Sequence, residues 1–128
     1  MACPAAKIES MDFERLELEV GAANAGLSPV RPGVARGDSG VLHRFDALFA
    51  GGSRRCAFDF YERVTEVEVV RSFAKKYDTG IQVDIVCGKE TTEKARDLAK
   101  DYGMRIICPG ETGDFFSLEQ PVTCGDLR

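Results

Sequence analysis

Residues 41–61 read VLHRFDALFAGGSRRCAFDFY, two apolar runs joined across Ala50-Gly51-Gly52-Ser53. A glycine pair takes up positive φ readily, so it suits a tight link between antiparallel strands. Each run carries one acid where a strand prefers an apolar residue, Asp46 in the first and Asp59 in the second. Alternation in the second run sets Cys56, Phe58 and Phe60 on one face and Arg55, Ala57, Asp59 and Tyr61 on the other. A charge inside a half-buried strand costs free energy unless something pairs it. A divalent metal or a buried arginine would do so. Paired acids on adjacent strands also direct attention to hydrolytic chemistry.

On the N-terminal side, Phe13, Leu16 and Val20 follow helical spacing and predict a helix over Asp12–Gly26, stopped by Gly26. Residues 27–40, with Pro29 and Pro32, read as an irregular edge strand followed by the loop Gly37-Asp38-Ser39-Gly40. On the C-terminal side, Thr65-Glu66-Val67-Glu68 is a capping box that starts a helix at about Glu66. Val67, Val70, Ala74 and Tyr77 share one face of it, and Asp78-Thr79-Gly80 ends it. Ile81–Cys87 is a strand with Ile81, Val83, Ile85 and Cys87 on one face and Gln82, Asp84 and Val86 on the other. A third helix over Thr91–Tyr102 turns Ala95, Leu98, Ala99 and Tyr102 inward, and Met104–Cys108 is a short strand. A strand, a helix and a further strand predict a right-handed parallel crossover. The fold class is therefore α/β: a mixed sheet flanked by helices, in the order α-β-β-β-α-β-α-β.

A chain of 128 residues is expected to form one domain, with its core at about residues 10–109 and a tail over 110–128. In that tail Phe115, Phe116 and Leu118 are candidates for packing, with fraying beyond Pro121. No apolar run nears the roughly 20 residues that span a bilayer. The start, MACPAAKIES, lacks a basic region ahead of an apolar one, so no secretory signal is expected. Five cysteines form no CxxC pair, which fits a cytoplasmic chain without structural disulfides or zinc. The formal charge of −4 argues against strong nonspecific nucleic-acid binding. Residues 31–55 run against that balance, with five arginines against Asp38 and Asp46, a local +3.

The element order and four local features resemble the restriction-endonuclease-like fold, and within it the Mrr-type nucleases. Phe13-Glu14 on the first helix is similar to a helix-borne Phe-Glu pair. Gly37-Asp38-Ser39-Gly40 ahead of Asp46 is similar to a glycine-rich approach to the first strand aspartate. Asp59 in Ala57-Phe58-Asp59-Phe60-Tyr61 falls at the second acid of an Asp/Glu-x-Lys element. Ile85-Val86-Cys87-Gly88, with Thr92–Ala99 and Tyr102-Gly103-Met104, resembles the closing crossover of Mrr-type domains. The resemblance implies a DNA endonuclease using Mg²⁺ or Mn²⁺ in phosphodiester hydrolysis. Asp46 and Asp59 would be the metal ligands, with Glu14 as a third catalytic acid. Arg36, Arg44, Arg54 and Arg55 are the candidate nucleic-acid contacts. A homodimer and a separate DNA-reading domain or protein are the implied partners, with no membrane.

One position departs from the pattern. Two residues past the second acid, where the resemblance expects lysine, the chain has Tyr61. Residues i and i+2 of a strand share a face, so a lysine there stands beside the carboxylate and the attacking water. A phenol of pKa about 10 carries no positive charge at neutral pH and cannot perform the electrostatic part of that task. Lys75 and Lys76 follow on the next helix, but counting along it from its start places both beyond reach of Asp59. The expectation is therefore a nuclease-like domain with a degenerate site. The alternatives are a non-catalytic nucleic-acid-binding or protein-interaction module derived from a nuclease, and a small α/β ligand-binding domain. His43 alternates with Val41 and Phe45, facing away from Asp46, and is read as a packed or surface residue.

Overall fold

The computed structural model describes residues 14–108. The expectations for Phe13 and for the tail from Gly110 lie outside those residues.

Helix α1 covers residues 14–24, and the strands and remaining helices follow in order: β1 (Ser28–Pro29), β2 (Val34–Arg36), β3 (Leu42–Arg44), β4 (Ala47–Gly51), β5 (Arg54–Val64), α2 (Glu66–Thr79), β6 (Gln82–Thr91), α3 (Glu93–Asp101) and β7 (Ile106–Ile107). Five strands form one sheet in the order β1-β4-β5-β6-β7, and β2 and β3 form a separate antiparallel ribbon. The β1-β4-β5 half is antiparallel, while β5-β6-β7 is parallel, so the sheet is mixed as expected. The predicted order holds, with the edge run divided into β1 and β2. The first run of the hairpin is also divided, because Asp46 interrupts it between β3 and β4.

Alternation along β5 and β6 separates two packing layers. Phe58, Phe60 and Val86 meet Leu18 and Ala22 of α1 on one face. Ile85 and Cys87 meet Val69 of α2 and Ala95 and Ala99 of α3 on the other. Those two helices lock together where Phe73 stacks on Tyr102, ring centroids 4.0 Å apart. Under the ribbon, Phe45, Leu48, Ala57, Ile81 and Val83 form a third group. No helix among the described residues is long and apolar enough to cross a membrane.

The capping box at the start of α2 is present in full: the Thr65 side chain accepts from Val67 N, and Thr65 N donates to Glu68 Oε1 at 2.7 Å. Gly80 supplies the left-handed C-cap. The face that α2 turns inward is a correction. Val67, Val70 and Tyr77 are exposed, whereas Val69 and Ser72 are buried and Phe73 packs beside them. Val69 and Phe73 precede the expected Val70 and Ala74 by one residue each, a rotation of about 100°. The apolar stripe of α2 thus faces solvent and its mixed face meets the sheet. Helix α1 is turned similarly: Leu16 and Val20 are exposed, and Leu18 and Ala22 are buried.

Candidate active site

Asp59 stands in the middle of β5 and is 2% exposed. A carboxylate there needs partners, and both come from α2. Ser72 Oγ donates to Asp59 Oδ2 at 2.6 Å, and Lys75 Nζ donates to Oδ1 at 3.1 Å. This pairing accounts for the rotation of α2: a helix lying across a buried charge turns its hydroxyl and ammonium inward and leaves its valines outside. Where the sequence suggests a divalent metal or a buried arginine, the partners are a lysine and a serine. Burial pushes the Asp59 carboxyl above its ordinary value, against the pull of the Ser72 hydroxyl and the Lys75 charge.

Lys75 corrects a second expectation, that it lies too far from the strand to reach the acid. The path along the chain is not the path through space. From Asp59 to Val64 the strand advances about 17 Å, and from Glu66 to Lys75 the helix returns about 14 Å. Because β5 and β6 are parallel, α2 must run back beside β5, and the two lengths subtract. Lys75 Nζ also donates to the Arg44 carbonyl at 2.6 Å and lies 5.2 Å from the Phe45 ring centre, which binds the helix to the β3–β4 junction.

Asp46 occupies that junction. Its N–H donates to Phe58 O at 3.1 Å, although Ala47 is the residue facing Phe58 across the ladder. Two residues against one is the pattern of a β-bulge, a device that re-aims a side chain. The Asp46 carboxylate then accepts from Phe60 N at 2.7 Å, completing a ladder bond that the broken strand cannot make. Asp46 therefore grips the residues on either side of Asp59. The two acids are close enough for the Asp46 charge to raise the Asp59 pKa further.

Tyr61 lies half-buried with its hydroxyl 3.5 Å from Ser72 Oγ, at the end of the chain Lys75–Asp59–Ser72. Burial, with the charges of Asp59 and Asp46 adding to it, pushes its pKa up and keeps the phenol neutral. Ser72, fully buried, is the site residue that sequence reasoning missed. Its signal was a small hydroxyl three residues before a lysine on a helix that follows an acid-bearing strand.

Glu14 continues the inward stripe of Leu18 and Ala22 one turn earlier, and its Oε1 is buried with no hydrogen-bond partner among the described residues. Among the described residues no three acids, histidines or cysteines gather closely enough to hold an ion, so Glu14 is not drawn into one cluster with Asp46 and Asp59. The arginines also disperse. Arg44 adjoins the site, Arg36 on the ribbon donates to Gly40 O, and Arg54 and Arg55 begin β5 beside the hairpin turn. His43, read as packed or surface, is half-buried in an ion pair with Asp78, at 2.8 Å.

Two carboxylates are the donors that hard divalent cations take. Mg²⁺ is commonly held by one or two carboxylates, with water and substrate phosphate completing its shell. Asp46 and Asp59 are of that type, and the described residues provide no all-protein cage.

No family model matches the sequence, and no curated protein matches it. A similar solved structure is that of AF1548, a protein of unknown function, at 17% identity with a TM-score of 0.58. The likeness covers 82% of this chain and 66% of that one, and at this identity it bears on the fold alone.

Proposed function

We propose that the chain is a nucleic-acid-cleaving domain of the restriction-endonuclease-like, Mrr-related kind, whose lysine is supplied by helix α2 instead of strand β5. The observation that carries this reading is the ammonium of Lys75 at 3.1 Å from Asp59. It puts a positive charge at the acid where Tyr61 cannot. A lysine there stabilises negative charge developing on the phosphoryl oxygens, a role that depends on the charge and not on the strand that bears it. Ser72 fixes the orientation of the Asp59 carboxylate, and the neutral Tyr61 hydroxyl adjoins Ser72. Asp46 and Asp59 would hold the divalent ion, whose contribution is Lewis acidity toward the phosphate and a lowered pKa for bound water.

A second reading is favoured by one specific feature. Both Asp59 oxygens are already hydrogen-bonded to protein groups in a site that is 2% exposed, as in a purely structural pair. That would suit a domain that binds nucleic acid or protein without cutting.

The two readings part on one experiment. Plasmid and short duplex DNA are incubated with the protein in Mg²⁺ and in Mn²⁺, beside Asp59→Asn and Lys75→Met. Cleavage by the wild type, reduced at least ~10²-fold in both variants, is the expected result on the scale of losing one preorganised charge. Cleavage equal in all three preparations, or absent from all, overturns the enzyme reading.

A further inference from the structure

A cleft of about 290 Å³ opens beside Asp46, between α1 and residues 29–33, and three guanidinium groups line it: Arg15, Arg31 and Arg44. Each is held differently. Arg15 is pinned, donating to the Asp46 carbonyl and lying 5.0 Å from the centre of the Phe60 ring. Arg31 donates to Glu19 at 3.1 Å in a solvent-facing pair. The Arg44 side chain is exposed and makes no hydrogen bond or ion pair among the described residues, while its carbonyl is fixed by Lys75. The cleft shares Asp46 with the acid site and is joined to it through Lys75.

We infer that this cleft binds a phosphate group of the substrate strand, next to the one at Asp59, through Arg15, Arg31 and Arg44. The inference rests on the proposed cleavage of a phosphodiester. Guanidinium forks match phosphate oxygens two at a time, and Arg15 is already oriented by its carbonyl and its aromatic neighbour. The volume sits at the bottom of the ~300–1,000 Å³ range of small-ligand sites, enough for a phosphate and its sugar. Glu19 is the internal competitor. Its carboxylate occupies Arg31, so the arriving phosphate takes over a cation that the empty cleft keeps neutralised. Sequence reasoning assigned Arg44 to nucleic acid but not Arg15 or Arg31, because they lie in separate segments that only the fold brings together.

The test is calorimetric titration of the full chain with inorganic phosphate and with a short single-stranded oligonucleotide. It compares the wild type with Arg44→Ala, Arg31→Ala, Glu19→Gln and Arg63→Ala. Arg44→Ala and Arg31→Ala are each expected to weaken oligonucleotide binding about 10-fold, as for loss of a charge-assisted contact. Removing the competitor by Glu19→Gln is expected to tighten it several-fold. Arg63→Ala, which breaks a solvent-facing pair with Glu90 near the C-terminal end of β5, should bind as the wild type does, and phosphate should compete with the oligonucleotide. Unchanged binding in both arginine variants, weaker binding in Glu19→Gln, or phosphate binding without oligonucleotide binding would overturn the assignment. Cleavage by the wild type separates the two proposals. Oligonucleotide binding that both arginine variants weaken, in a wild type that cleaves in neither Mg²⁺ nor Mn²⁺, would sink the enzyme reading and leave the cleft standing.

Discussion

Two aspartates lie buried on neighbouring central strands, Asp59 on β5 and Asp84 on β6, at 2% and 1% exposure. Alternation sets them on opposite faces of the sheet, and burial pushes both carboxyls above their ordinary pKa. Their partners differ in kind. Asp84 accepts from the backbone N–H of Arg105 at 2.7 Å and from the Gln82 amide at 3.3 Å, so it ties β6 to the strand beside it. Asp59 is held by a hydroxyl and an ammonium from a helix that crosses the sheet. A backbone N–H is fixed by the fold and brings no formal charge. A lysine side chain brings a full charge on a flexible stem. Burial and a raised pKa are common to the two acids, and what separates them is a charged side-chain partner on one and a backbone amide on the other.

The contrast predicts its largest effect at Lys75. Lys75→Met leaves Asp59 buried with Ser72 alone and is expected to cost about 3 kcal/mol, the lower end of the range for breaking a buried pair, since the lysine side chain keeps 23% exposure. Losing the ammonium raises the Asp59 pKa further. A carboxyl whose folded pKa exceeds its unfolded value contributes stability below the unfolded pKa and loses it as pH rises through the folded one. The deficit of the variant should thus be small near pH 4 and grow toward pH 8. Urea melts at the two pH values check it, and equal deficits would show that Lys75 acts by packing alone.

Asp84 should behave in the opposite sense. Asp84→Ala leaves the Arg105 N–H unpaired and is expected to cost about 1–3 kcal/mol. Asp84→Asn keeps the acceptor and cannot ionise, so by the same linkage it should match or exceed the wild type in stability at pH 7. Neither change should alter oligonucleotide binding. If Asp84→Asn were as damaging as Lys75→Met, the distinction between the two acids would fail.

Legibility in the sequence follows the range of the interactions. The capping box at Thr65, the alternation of Ile81–Cys87 and the inward face of α3 were readable because each is decided within a few residues. The inward face of α2 was not. Its hydrophobic stripe is real, but the rotation is decided by Asp59, seven residues upstream of the helix on another element. The position of Lys75 required knowing that the helix runs back along its own strand, which follows from the parallel pairing of β5 with β6. Asp46 was noticed as an oddity in a strand. That it breaks the strand depends on Phe58 and Phe60 across the ladder.

The smallest expected effect concerns the far end of α2, where a solvent-facing acid offers a control for both buried ones. Asp78 accepts from Ser39 N at 2.9 Å, Ser39 Oγ at 2.6 Å and His43 Nε2 at 2.8 Å, binding the tip of the β2–β3 ribbon to the helix three residues past Lys75. The Ser39 hydroxyl, followed by His43, holds its pKa down to about 2. Gly37 makes the contact possible, since a Cβ there would lie 2.0 Å from Asp78 Oδ2. The linkage sign is the reverse of that for Asp59. A depressed folded pKa means that the contribution is present above the unfolded value of about 3.9 and is lost as pH falls through about 2. Asp78→Asn and Gly37→Ala should each speed hydrogen exchange at the Ser39 amide several-fold near pH 6. The amides of Phe58 and Phe60 should be unaffected, because ribbon opening is local. Exchange at Ser39 that stays at the wild-type rate in both variants would mean that the ribbon is held by its own pairing and not by α2.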